Sequence, residues 1–182
     1  MTMKITSILA AVLGVGFLGV KVISPADATP PVPIPVEDQA KLLESPDPQL
    51  AANKKLCYDM YRTLLQAGQW ERAKEFIADD YIQHNPNVVN GREALEKFIK
   101  GSRPERPVEP VLHLPLVSIV AERDRVVLAF VRPRKDADGN TYYSSWFDMF
   151  RIKDGKIAEH WDPAEKSPEA LKFNPNTNTV NK

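Results

Sequence analysis

Asp148 stands in the strand-like run Thr141 to Lys153, and His160 and Asp162 stand in the run that follows it, Lys156 to Asp162. A carboxylate beside an imidazole can take a proton from a substrate and return one, and apolar walls tune the carboxyl toward that use. The same pair could instead be structural, holding two strands in place. Strand geometry decides whether the groups meet. Side chains alternate, so Trp146, Asp148, Phe150 and Ile152 share one face, while Phe147, Met149 and Arg151 share the other. If Lys153-Asp154-Gly155 is a three-residue loop with a left-handed Gly155 in a G1 bulge, Ile152 pairs with Lys156. Phe150 then faces Ala158, Asp148 faces His160, and Trp146 faces Asp162. A two-residue turn would set Asp148 opposite Trp161. The bulged loop is the preferred reading. It gathers Asp148, His160 and Asp162 beside Trp146 and Phe150, where an unpartnered carboxylate would be costly.

Other residues could complete such a site. His84, at the bend before Asn85-Pro86, suits a donor at a pocket mouth that polarises a carbonyl, or a cap for the following loop. Tyr81 is a second such donor. Asp162 also fits a cap for the segment Ala164 to Leu171. His113 reads as a strand residue without chemistry. Trp146, Phe150, Phe130 and Tyr81 are individually core residues; together they suit a pocket for an apolar small molecule. His84, Asp148, His160 and Asp162 are suitable metal-ligand types, but no pair has tight helical spacing, and no metal is expected. Ser144 and Ser145 lack a nucleophile elbow. No glycine-rich phosphate loop or dinucleotide fingerprint occurs, so no cofactor is expected.

The elements that must position these groups change character along the chain. Asp47-Pro48 starts a helix, with an N-cap and a proline at the first helical position. Leu50, Cys57, Tyr61, Leu64 and Leu65 continue it to Gly68. Trp70, Ala73, Phe76 and Ile77 mark a short second helix, and Tyr81 to His84 a short strand. Gly91 to Lys100 is a third helix, with Leu95, Phe98 and Ile99 inward. From Val111 the chain turns β-rich: Val111 to Ala121, Val126 to Arg132, Thr141 to Lys153 and Lys156 to Asp162. Helices followed by long strands indicate an α+β fold, an antiparallel sheet packed against helices on one face.

Composition narrows the function classes. The 182 residues suit one domain, and 24 basic residues against 24 acidic leave no basic footprint for nucleic acid. One cysteine, Cys57, excludes an intrachain disulfide and a cysteine-based zinc site. Lys4, the apolar run Ile5 to Val20 and Ala26-Asp27-Ala28 form a leader, residues 1–28, with a mature start at Thr29. The product is then exported, periplasmic or secreted, without a stable membrane span after processing. An uncleaved anchor is the alternative, although Lys21 interrupts the apolar run. Residues 29–46 are a proline-rich linker and leading segment, 47–173 the folded domain and 174–182 a disordered tail.

Two motifs carry a family resemblance. Asp80-Tyr81-Ile82-Gln83-His84-Asn85-Pro86 precedes Gly91-Arg92-Glu93, and Phe147-Asp148-Met149-Phe150-Arg151-Ile152 leads into Asp154-Gly155-Lys156-Ile157-Ala158-Glu159-His160-Trp161-Asp162. Together they resemble the SnoaL-like branch of the NTF2-like superfamily, roughly from Pro48 to Pro163. The resemblance implies a cone-shaped α+β barrel with a deep pocket, commonly dimeric through the sheet. It also implies chemistry ranging from polyketide cyclases and ketosteroid isomerase-like enzymes to pockets without a reaction. Relatives often carry histidine in the second long strand, where this chain has Val127-Leu128-Ala129-Phe130-Val131. The expected protein is a cofactor-independent enzyme with Asp148, His160 and His84 as catalytic residues and an apolar carbonyl substrate. The alternative is a noncatalytic binding or dimerisation module. The face of Phe147, Met149, Ile157 and Trp161 is apolar enough to suggest a homodimer.

Overall fold

A computed structural model describes residues 36–168, 173–174 and 179–180, all within the second of the two units into which the chain divides, residues 31–182. The expected leader, 1–28, and the proline-rich run after it to residue 35 lie outside the described residues. No helix among the described residues is long and apolar enough to cross a membrane.

Helix α1 (Val36–Lys41) precedes α2 (Pro48–Met60). The Asp47 carboxylate starts α2 by accepting from the N–H groups of Gln49 and Leu50, at 2.7 and 3.3 Å. The helix then widens into a π-helical segment, Tyr61–Gln66, before stopping at Gly68. Gly68 has φ +69, and a Cβ there would meet the Pro104 carbonyl oxygen at 2.6 Å, so glycine serves both the turn and the close approach. After a short 3₁₀ turn, Trp70–Arg72, and α3 (Ala73–Phe76), the chain is extended from Ile77 onward in β1 (Ile77–Gln83). This strand begins earlier than its sequence suggests because Ile77 already pairs with Ile157. Helix α4 (Arg92–Ser102) buries Leu95 and Ile99, whereas Phe98, expected inward, remains 43% exposed.

Strands β2 (Leu116–Glu122), β3 (Arg125–Lys135), β4 (Thr141–Lys153) and β5 (Lys156–Trp161) complete a five-stranded sheet of order β1-β5-β4-β3-β2. Strands β2 to β5 pair antiparallel, and β1 joins the edge parallel to β5. The fold class is therefore α+β, as expected. Strand β2 starts later than Val111 because the preceding backbone bonds elsewhere. Gln39 donates to the Leu112 carbonyl and accepts from its N–H, while Gln66 donates to the Val111 carbonyl and accepts from the His113 N–H. Helix α2 packs across β2, β3 and β5, and α4 packs on β1. Tyr61, Leu64, Leu128, Phe130 and Ile157 are buried between these layers. Beyond the domain, β6 (Phe173–Asn174) and β7 (Thr179–Val180) pair as a short antiparallel ladder.

The β4–β5 hairpin departs from the expected loop. Asp154 and Gly155 both have positive φ, 50° and 70°, and form a two-residue turn that pairs Lys153 with Lys156. One residue pair further on, the register slips, so that Arg151 faces Glu159 and Phe150 faces His160. Ala158 is the extra residue. The turn alone would have sent His160 to the wrong face, and this bulge returns it to the face of Phe150 and Asp148.

Candidate active site

A cavity of about 570 Å³ lies against the inner face of the sheet, lined by parts of α2, the π-helical segment, α4 and strands β1, β3, β4 and β5. Its charged floor centres on Asp148, which is only 3% exposed. Three donors converge there. The Tyr61 hydroxyl donates to Oδ2, the Trp146 indole donates to Oδ1 at 3.1 Å, and His160 Nε2 lies 2.9 Å from Oδ1. Trp146 reaches Asp148 because residues two apart on a strand share a face. Tyr61 reaches it from the first position of the π-helical segment. Three donors suit an ionised carboxylate, which has only lone pairs to offer.

The tautomer of His160 is set by the groups around its Nδ1. Its Nδ1 lies 2.9 Å from Gln83 Oε1. That oxygen also accepts from the Asn85 backbone N–H at 3.0 Å, while Gln83 Nε2 donates to the Tyr81 hydroxyl at 3.1 Å. These contacts set the amide orientation, so Nδ1 must be the donor. A neutral imidazole would then present a lone pair to Asp148 across 2.9 Å. A proton on either group completes the Nε2–Oδ1 hydrogen bond. Phe150 stacks on the His160 ring at 4.8 Å and fixes its plane.

Asp162 lies at the edge of this group, 4.0 Å from His160 Nε2. It accepts from Asn85 Nδ2 at 2.8 Å and from the Ala164 N–H at 3.2 Å, so it does cap the following loop. Asp148, His160 and Asp162 offer ligand atoms within 4.8 Å of one another and are the residues that could hold a metal ion. Asp148 and Asp162 already accept from protein donors, and both ring nitrogens of His160 face protein oxygens. Burial first, and then the charge of Asp148, push the Tyr61 hydroxyl well above the ordinary tyrosine range. Burial, with Asp162 and Asp148 adding to it, does the same for Tyr81.

Most of the expected site residues meet at the cavity: Asp148, His160, Tyr81, Trp146, Phe150 and Asp162. Two do not. His84 follows Gln83 and therefore points to the opposite face. There it stacks on Trp161 at 4.4 Å and pairs with Glu159 at 2.9 Å, with Arg151 on the same carboxylate. Phe130 is 1% exposed and packs on the Tyr61 ring at 4.9 Å in the core, outside the cavity lining. His113 is outside any strand and pairs with Glu109. Sequence reasoning missed Tyr61 and Gln83. Gln83 had a usable signal, since it shares the face of Tyr81 two residues on. Tyr61 looked like one more apolar position of its helix.

Residues 58–160 match the family profile of the SnoaL-like domain. Among solved structures, the chain is similar to TsrD from Streptomyces laurentii, at 22% identity over 73% of this chain and 99% of that one, with a TM-score of 0.42. It is also similar to an NTF2-like protein of unknown function from Mesorhizobium loti, at 19% identity over 67% and 98%, TM-score 0.47. A third is a SnoaL-like protein of Jannaschia sp. CCS1, at 15% identity over 66% and 91%, TM-score 0.47. No curated protein matches.

Proposed function

The chain belongs to the SnoaL-like domain family, and on that premise we propose that it is a cofactor-independent enzyme of proton transfer next to a carbonyl, an isomerase, aldol-type cyclase or lyase. The observation that carries this reading is the hydrogen-bonded pair of Asp148 and His160 in the wall of a cavity large enough for a small molecule. Asp148 is the base. Both nitrogens of His160 are already engaged, so its part is to balance the charge of Asp148 and to return the proton. Tyr61 is the oxyanion donor in this scheme, in place of His84: its hydroxyl lies in the cavity wall, stays protonated, and turns from Asp148 Oδ2 to the oxyanion as Asp148 takes up the substrate proton.

A carbonyl compound incubated in deuterated buffer tests this without knowledge of the physiological substrate. Asp148→Asn should reduce exchange by roughly two to four orders of magnitude while ligand affinity changes little. Exchange that persists unchanged in Asp148→Asn would remove Asp148 from the mechanism. One observation favours a second reading, a noncatalytic binding module: three donors already occupy the Asp148 oxygens. That reading gives ligand binding with no exchange in either protein.

The proposal extends to location and assembly. The leader motif supports export with cleavage before Thr29, and mass spectrometry of the native protein should find that terminus. A chain retaining Met1 in the membrane fraction would exclude it. The apolar outer face of the sheet supports a homodimer.

A further inference from the structure

The chemistry above uses the cavity floor and leaves two cations in its wall without a role, Arg103 and Arg132. Arg132 sits two residues beyond Phe130 on the inner face of β3, paired with Ser144 of β4. Its guanidinium carbon lies 3.7 Å from the centre of the Trp146 ring, and that ring is itself held by the indole bond to Asp148. Stacking fixes the plane of the fork. No hydrogen bond or ion pair engages the Arg132 guanidinium among the described residues. Arg103, at the end of α4, donates to the Leu65 carbonyl at 2.5 Å and to Ser102 Oγ at 3.2 Å, and it has no carboxylate partner among them. Both guanidiniums act electrostatically on the Tyr61 hydroxyl.

The carboxylates of the cavity cannot answer these cations, because their donors are already in place. Asp148 accepts from Tyr61, Trp146 and His160, and Asp162 accepts from Asn85 and the Ala164 N–H. Among the described residues, the Arg132 guanidinium is therefore left with open donors in the cavity wall. No glycine lines the cavity, so it lacks a backbone cradle of the kind that holds phosphate. A stacked planar fork matches a carboxylate.

We propose that the substrate is an apolar oxo-carboxylic acid whose carboxylate is held by Arg132, with Arg103 as the second cation. This rests on the acid–base reading of Asp148 and adds the substrate class. Recognition at Arg132 would leave the carbonyl end of the molecule to lie against Tyr61 and Asp148.

The test uses a matched pair of probes, 1-naphthylacetate and its neutral isostere 1-naphthylacetamide, with binding to the full chain followed by calorimetry. The acid should bind the unaltered protein about tenfold or more tighter than the amide, as a charge-assisted bidentate contact allows. Arg132→Gln should remove that preference and leave amide binding unchanged, and Arg132→Lys should restore only part of it. Equal binding of acid and amide by the unaltered protein would overturn the inference. So would no acid binding at millimolar concentration, or a preference that survives Arg132→Gln and Arg103→Gln together. The comparison in the unaltered protein decides the matter even if a variant does not fold. A retained acid preference without proton exchange supports the anion site and counts against the acid–base chemistry alone.

Discussion

The Tyr61 hydroxyl faces the Asp148 oxygen that His160 and Trp146 leave open, and it does so while almost wholly buried. Removing it leaves a buried carboxylate short of a donor. Tyr61→Phe should therefore lower stability by about 1–3 kcal/mol in denaturant titration, although the substitution keeps the ring that packs on Phe130. The pH dependence has a definite sign. Burial raises the folded-state hydroxyls of Tyr61 and Tyr81, so the unfolded chain releases these protons first as pH rises. Their contribution is fully present below the ordinary tyrosine value of about 10 and is lost as pH climbs above it. The urea midpoint should fall above about pH 10, and the fall should be shallower in Tyr61→Phe. Parallel curves for the two proteins would show that Tyr61 is not held protonated by the fold. Burial also raises the Cys57 thiol, with the same sign, but both proteins share it and the comparison cancels it.

At the scale of elements, the hairpin between β4 and β5 decides whether a site exists. Alternation along β4 was legible in the sequence, and it correctly put Trp146, Asp148 and Phe150 on one face. The register was not, because two devices act in succession. The Asp154-Gly155 turn shifts the pairing by one residue, and the bulge at Ala158 shifts it again. The expected G1 loop reached the same face by a different route, since what matters is whether the total shift is even. The second shift had no local signature, because alanine is not a marked bulge residue. The first shift, at the turn, also carries Ile157 into the core opposite Ile152, although the expected outer patch included it. Elsewhere, the helix start at Asp47-Pro48 and the stop at Gly68 were readable from capping chemistry, whereas the π-helical segment that begins at Tyr61 had no sequence signal. Deleting Ala158 tests the account. The turn would remain, but His160 would move to the outer face and its bond to Asp148 would be lost. Proton exchange should drop as far as in Asp148→Asn, and the imidazole proton resonances of His160 should move to solvent-exposed positions. An Ala158 deletion that retains full exchange would show that the bulge does not set the site.

For the molecule as a whole, the outer face of the sheet raises the question of what covers it. Val120, Val127, Met149 and Trp161 pair in register across four strands, and Phe147 lies opposite Ala129 beside this row. Phe147 is 52% exposed and Val120 58%. Charge flanks the row: Arg125 approaches the Trp161 ring at 5.6 Å, and His84, Glu159 and Arg151 form a network next to it. An apolar stripe with a polar border is the anatomy of a self-complementary interface, where a twofold axis sets each row against its own copy. Sedimentation at micromolar concentration should give a dimer. Phe147→Asp should raise its dissociation constant at least about tenfold, because a carboxylate would be desolvated at the centre of the contact. Phe147 is on the face away from the cavity, so thermal stability of the monomer and binding of naphthylacetate should persist in that variant. A dimer unaffected by Phe147→Asp would place the contact elsewhere, and a monomer at all accessible concentrations would leave the stripe without a twofold partner. The two faces of β4 thus separate the cavity from the outer apolar stripe along one strand. Even-numbered residues from Trp146 to Phe150 build the cavity, and Phe147 and Met149 build the outer surface. Substitutions one residue apart should then separate the proposed assembly from the proposed chemistry.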